Sequence, residues 1–182
     1  MPIPGVTNSI NCMTRLAGDR LAAWALDWLC ILAWVAVTAA VGVPLLLTGV
    51  THGVSTVWLN IIGAVVLIAP VTIGLAWLES GTRQATLGKR TRRLQVAGAD
   101  TGSRVTFSRA LLRNSLKIAL PWTLGHAVVF GFVQTNSSGS VPGWLWVATV
   151  AAYVLPVVYV VSLFLGRGHT PYDRISGTAV VK

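Results

Sequence analysis

Charge is scarce in this chain. Only 10% of its 182 residues are charged and 54% are hydrophobic, with a mean hydropathy of +0.70; an ordinary soluble domain is roughly 25% charged. That deficit excludes a conventional water-soluble globule and points to lipid as the solvent for most of the chain. Cysteine is rarer still. Cys12 and Cys30 have neither a paired nor a metal-type spacing, which excludes a disulfide framework and leaves two thiols behaving as small hydrophobes. The first twenty residues lack the apolar core and small-residue cleavage pattern of a secretory signal, so no cleaved leader is expected. The length suits one domain, 1–182, with no room for a second large soluble core.

What the chain has in quantity is unbroken apolar length. Runs at about 21–47, 58–78, 110–133 and 144–165 each meet or exceed the ~20 residues a helix needs to cross a bilayer core. The expected fold class is an all-α membrane protein with four transmembrane helices. Pro44, Pro70, Pro121 and Pro156 put one proline in each run, tolerable when neighbouring helices satisfy the backbone groups the proline frees.

Lysine and arginine are absent from two of the three connections, TGVTHGVST and QTNSSGSVPG. They gather instead at Arg15 and Arg20, from Arg83 through Lys117, and at Arg167, Arg174 and Lys182. Short loops flanking membrane helices keep their basic residues on the cytoplasmic side, so both termini and the loop 79–109 are expected inside. The net charge of +9 then speaks for orientation and for binding of anionic headgroups of membrane lipids, with Arg92, Arg93 and Arg109 as contacts. It does not speak for nucleic acid, because the charge hugs the membrane and no reading module is recognisable.

Within the middle loop, the Gly88–Lys89 pair invites a phosphate-loop assignment. Arg83 and Arg90 stand where that loop needs a glycine and a Ser or Thr, which excludes it. LQVAG and SRVTF alternate about the Gly98–Gly102 turn and predict a short cytoplasmic β-hairpin, with TAVVK at the C-terminus available as a third strand. Arg109, Arg113 and Lys117 recur every fourth residue, the pattern of a basic stripe on an interfacial helix that meets phosphate headgroups before the third span.

Asp27 is the anomaly in the first run. It follows Arg20 by seven residues, which places the two on nearly one helix face about 10 Å apart along the axis. An ionised, unpaired carboxylate at midspan costs about 2.5 to 3.5 kcal/mol. Protonation, a water-filled vestibule or a nearby cation would lower that cost; the expected partners are Arg113 and Lys117, with Asn114 adding a hydrogen bond and Arg20 as a further cation. Glu79 and the histidines His52, His126 and His169 do not converge in this scheme. With no metal-ligand spacing and no nucleophile motif, neither enzyme activity nor a metal nor a cofactor is expected.

RLAAWALD, ATLGKR, SRALLRNSLK and YDRISGTAVV, in that order, together resemble the RDD family of small integral membrane proteins from about Arg20 to Val181. The resemblance implies a multi-pass protein of a bacterial plasma membrane and a naming triad that matches Arg20, Asp27 and Asp173. Many relatives have His directly before the last aspartate; Tyr172 holds that place here, so a His-Asp proton relay is not carried over. Two functions remain open. The protein transports an ion or small solute, with Asp27 alternating between protonated and cation-bound states; or it is a non-catalytic structural or accessory subunit, in which Asp27 joins a buried polar lock and the basic loop docks lipid, a second copy or another membrane protein.

Overall fold

The computed structural model describes residues 4–135, 140–165 and 168–182. The side chains of residues 4–14 and 56 lie outside the described set, and with them the thiol of Cys12; so does Arg167. The helices are α1 (Pro4–Leu47), α2 (Thr56–Ser80), α3 (Leu87–Thr91), α4 (Phe107–Asn114), α5 (Leu120–Thr135), α6 (Gly143–Ser162) and α7 (Pro171–Ser176), and the strands are β1 (Gln95–Gly98) and β2 (Thr178–Val181). Among the described residues, four helical stretches are long and apolar enough to cross a membrane: Arg15–Leu47, Val57–Ser80, Phe107–Thr135 and Gly143–Ser162. Hydroxyl side chains start several helices. Ser55 accepts from the Trp58 amide at 3.4 Å, Thr86 from Lys89 at 3.4 Å and Thr106 from Arg109 at 3.5 Å, each satisfying an amide that has no partner inside its helix.

The third stretch is continuous, since α4 runs into α5 through a π-helical turn at Ser115–Ala119. Pro121 follows that turn directly and has no N–H to give. The Leu120 amide goes to the Ser115 carbonyl, so the Leu116 carbonyl is left without a backbone donor; the Tyr159 hydroxyl of α6 donates to it at 2.9 Å. Pro70 repeats the device in α2. Its missing N–H would have met the Val66 carbonyl, and the Trp34 indole of α1 donates there at 3.2 Å. Two prolines are thus accommodated by side chains of neighbouring spans, as membrane burial of a polar backbone requires.

The π-helical turn also shifts the helical register, because it adds a residue to the turn. Arg109, Arg113 and Lys117 do not form the expected interfacial stripe: Arg109 is exposed, whereas Arg113, one turn on in the same α4, is only 1% exposed because α4 packs there on α2 and α7, and Lys117, within the π-helical turn, is half-buried.

The sheet differs from the expected hairpin as well. β1 pairs antiparallel with β2, from Gln95↔Val181 to Gly98↔Thr178, so the C-terminal segment supplies the partner strand. SRVTF contributes one isolated bridge, Ala97↔Arg104, because Thr106 already begins α4. Beneath the sheet, Leu94, Val96, Val105 and Val180 pack with Ala23 of α1, Ala76 of α2 and Ala110 of α4. This small core fastens the loop and the C-terminus to the polar end of the bundle. A second cluster, Ile31, Val71 and Ile118 with Trp28, Trp34 and Trp122 around it, joins the first three spans farther along.

Candidate functional site

At the polar end, charges of opposite sign alternate in a buried chain. Glu79, the penultimate residue of α2, is 0% exposed. Arg113 Nη1 donates to both its oxygens at 2.8 and 2.9 Å, Asn114 Nδ2 donates at 2.8 Å, and the Lys89 ammonium donates as well. Arg113 uses its Nε on Asp173 Oδ1 at 2.9 Å, and Arg20 donates from Nη2 to Asp173 Oδ2 at 2.6 Å. The second Arg20 nitrogen bonds the Gly168 carbonyl at 2.5 Å. Lys89, Glu79, Arg113, Asp173 and Arg20 thereby tie α3, α2, α4, α7 and α1 together. One arginine can bridge two carboxylates because its guanidinium presents several donors in a fixed plane. Its face is covered too: the Tyr172 ring lies 5.3 Å from Arg113 Cζ, and the Tyr159 ring stands edge-on to Tyr172 at 5.0 Å between centroids.

Burial alone would raise the Asp173 carboxyl, yet the guanidiniums of Arg113 and Arg20 outweigh it and hold the group below the ordinary carboxylate range. For Lys89 burial prevails. It pushes the ammonium down to about 8 against the attraction of Glu79, with Lys117 and Arg113 adding like-charge repulsion.

Asp27 sits beside this chain but outside it. The residue is 4% exposed; Oδ2 accepts from the Thr86 hydroxyl at 2.6 Å and Oδ1 from the Gly88 amide at 2.8 Å. The carboxylate of one helix thus ends on the N-cap hydroxyl and one first-turn amide of another, where partial positive charge gathers. Gly88 allows the approach. A Cβ there would stand 2.0 Å from the Ala23 carbonyl oxygen, so any larger residue would push α3 off α1.

The expected partners of Asp27 are corrected accordingly. Arg113 and Asn114 are committed to Glu79 and Asp173, because α4 packs on α2 and α7 at that level. Lys117 borders a cavity with Asp27 without an ion pair or hydrogen bond to it among the described residues. The structure joins Arg20 directly to Asp173, while Asp27 bonds neither. Arg92, Arg93 and Arg109 are exposed and apart from the cluster. Sequence reasoning missed Glu79, Thr86, Gly88 and Lys89; the signal available was a carboxylate closing an apolar span, followed within ten residues by ATLGKR.

Above the polar chain lies a partly open cavity of about 730 Å³. Arg20, Asp27, Lys89, Arg113 and Lys117 border its polar end, and Trp24, Trp28, Trp122, Val160 and Leu163 line its apolar part. It lies between α1, the third span and α6, and Trp28 of α1 meets Trp122 of the third span across it at 5.9 Å between ring centroids. Asp27 also borders a smaller cavity of about 230 Å³ between α1 and α2.

Each of the four sequence motifs supplies a residue to this end: Arg20 and Asp27, then Thr86, Gly88 and Lys89, then Arg113 and Asn114, then Asp173. The model of the RDD family matches residues 14–177, most of the chain. The chain belongs to the RDD family. Four apolar helices and this membership make it a multi-pass membrane protein. Neither a curated protein nor a solved structure matches it. In this RDD chain the motifs, far apart in sequence, are one buried polar assembly facing a cavity.

Proposed function

We propose that this RDD-family protein binds and carries an ion or small solute across the membrane, using the cavity beside Asp27 as its binding chamber. The observation that supports the reading is a cavity of about 730 Å³ between spans with charged side chains at one end, a size and chemistry typical of small-molecule sites, which run from about 300 to 1,000 Å³. Asp27 borders that space while its oxygens are occupied by Thr86 and Gly88. Protonation or cation binding at Asp27 therefore competes with the contacts that keep α3 on α1, which couples occupancy to release of α3. In this reading both termini and the loop 79–109 face the cytoplasm of a bacterial plasma membrane, as the distribution of Lys and Arg favours. Exposed Arg92, Arg93 and Arg109 contact anionic headgroups there. No catalytic step is assigned.

The test is reconstitution in sealed vesicles carrying an internal pH-sensitive dye, under imposed Na⁺ or K⁺ gradients. The intact protein should move protons with the gradient, and Asp27→Asn should insert yet lose the flux. Absence of gradient-driven flux in the intact protein overturns transport. A second reading, an accessory subunit, is favoured by the internal pairing of Glu79, Arg113 and Asp173; it expects Asp27→Asn to lower assembly or abundance with no flux in either form. Labelling of single cysteines in the middle loop from the outside would overturn the orientation.

A further inference from the structure

Around the polar end stand four cations, Arg20, Lys89, Arg113 and Lys117, and three carboxylates, Asp27, Glu79 and Asp173. Arg20, Lys89 and Arg113 each hold a carboxylate at bonding distance. Lys117 bonds none: among the described residues its ammonium makes no hydrogen bond or ion pair and meets Glu79, Asp27 and Asp173 only through space, although it belongs to a membrane span and borders the cavity. An unmatched charge at membrane depth is costly and calls for a counter-charge. Among these groups the cations outnumber the carboxylates by one, and Lys117, the cation with no bonded carboxylate, borders the cavity.

The rest of the cavity is apolar. Beyond Lys117 and one turn up the third span come Pro121, Trp122, Gly125 and Val129, with Val160 and Leu163 of α6 opposite α1. Two polar atoms of lining residues, the Trp28 indole N–H and His126 Nε2, are buried without a partner. Because α1 and α6 are not closely packed, the space lies along a gap between spans; Leu32 on its wall is half exposed, and α6 carries exposed Val157 and Val161 on the face turned to hydrocarbon in a membrane.

We propose that the cavity takes a single-chain amphiphile with one carboxylate head, a long-chain fatty acid drawn laterally from the bilayer. The head pairs with Lys117, and the chain lies against the tryptophans and valines of the apolar part. Single charge follows from the single unmatched cation, and the hydrocarbon chain from the walls. The inference rests on the cavity being the ligand site of the reading above, but not on transport.

Trp24, Trp28 and Trp122 line the cavity, so intrinsic fluorescence of the purified full chain in detergent reports occupancy. The probe is 9,10-dibromostearate, with its methyl ester, acetate and inorganic phosphate as controls. Saturable quenching is expected from the free acid and not from the ester. Acetate and phosphate should not compete. Lys117→Met should weaken the acid by about tenfold or more while Lys117→Arg restores it. Gly125→Leu tests the chain separately, since a Cβ at Gly125 meets nothing within 4 Å and a larger side chain fills the cavity without touching the charge. It should also weaken binding about tenfold, and it decides the matter if Lys117→Met fails to fold. Equal quenching by acid and ester, competition by acetate or phosphate alone, or unchanged affinity in both variants overturns the proposal. Quenching as expected without flux in vesicles would remove transport and leave this inference standing; flux without quenching would do the reverse.

Discussion

The two ends of α2 belong to different physical worlds. Glu79 has no exposed surface and several bonds, whereas Trp58, near the other end of the same helix, is 61% exposed. Around Glu79, partners are individual atoms, and the identity of each side chain decides whether a neighbour is satisfied. Around Trp58 the requirement is only apolar character, because outward side chains such as Val57 and Val147, 53% and 71% exposed, meet hydrocarbon. Specificity in this fold is therefore concentrated at one end, while the other end is governed by length and hydropathy.

Breaking the charged chain should produce the largest effect. Glu79→Ala leaves Lys89 as an uncompensated buried cation and Arg113 with Asp173 alone, and removing one partner of such a pair costs about 3–5 kcal/mol; loss of the monodisperse folded protein in detergent is expected. Gly88→Ala comes next, because its Cβ would collide with the Ala23 carbonyl. Overpacking costs about 1–3 kcal/mol, and hydrogen exchange of α3 should rise with the fall in thermal stability. Tyr159→Phe strands the Leu116 carbonyl and should lower stability by about 1–3 kcal/mol. Smallest are exchanges on the apolar faces: Val147→Leu should stay within about 0.5 kcal/mol in the same unfolding assay.

The pH dependence of the polar end sharpens the contrast. Lys89 lies at about 8 in the folded chain, below the ordinary ~10.4. Between those values the unfolded chain binds the proton more strongly, so the stability due to Lys89 rises as pH climbs from about 8 to ~10.4. Lys89→Met should flatten that rise. Asp173 acts in the opposite range: its carboxyl is lowered, so its contribution is present above the unfolded value of ~3.9 and is lost as pH falls through the folded one.

How much of this was legible in the sequence follows the same division. Each of the four apolar runs coincides with a helix long and apolar enough to cross a membrane, 58–78 with Val57–Ser80 and 144–165 with Gly143–Ser162, because hydropathy is a local property; the helix carrying 21–47 begins far earlier, at Pro4. The sheet was half legible. β1 alternates visibly, but its partner lies across the chain at Thr178–Val181, and the nearer SRVTF segment was used up by the cap of α4. Least legible was the bonding of Asp27. Charge arithmetic favours cations, whereas the structure uses a hydroxyl and a backbone amide, and a backbone donor leaves no mark in the sequence beyond a glycine. Arg113 was misplaced for a related reason: the every-fourth spacing shows a stripe but not what packs on it, and α4 lies against α2 and α7, whose Glu79 and Asp173 take the guanidinium.

The mending of the proline breaks bears on how the chain enters its membrane. Trp34 closes the gap in the span that follows its own, and Tyr159 closes the gap in the span that precedes its own. Each repair stays inside a sequential helical pair, the first with the second and the third with the fourth. Two hairpins can therefore be inserted one after the other, each with the gap at Pro70 or Pro121 already closed, before Arg113 and Glu79 clasp the halves into one body.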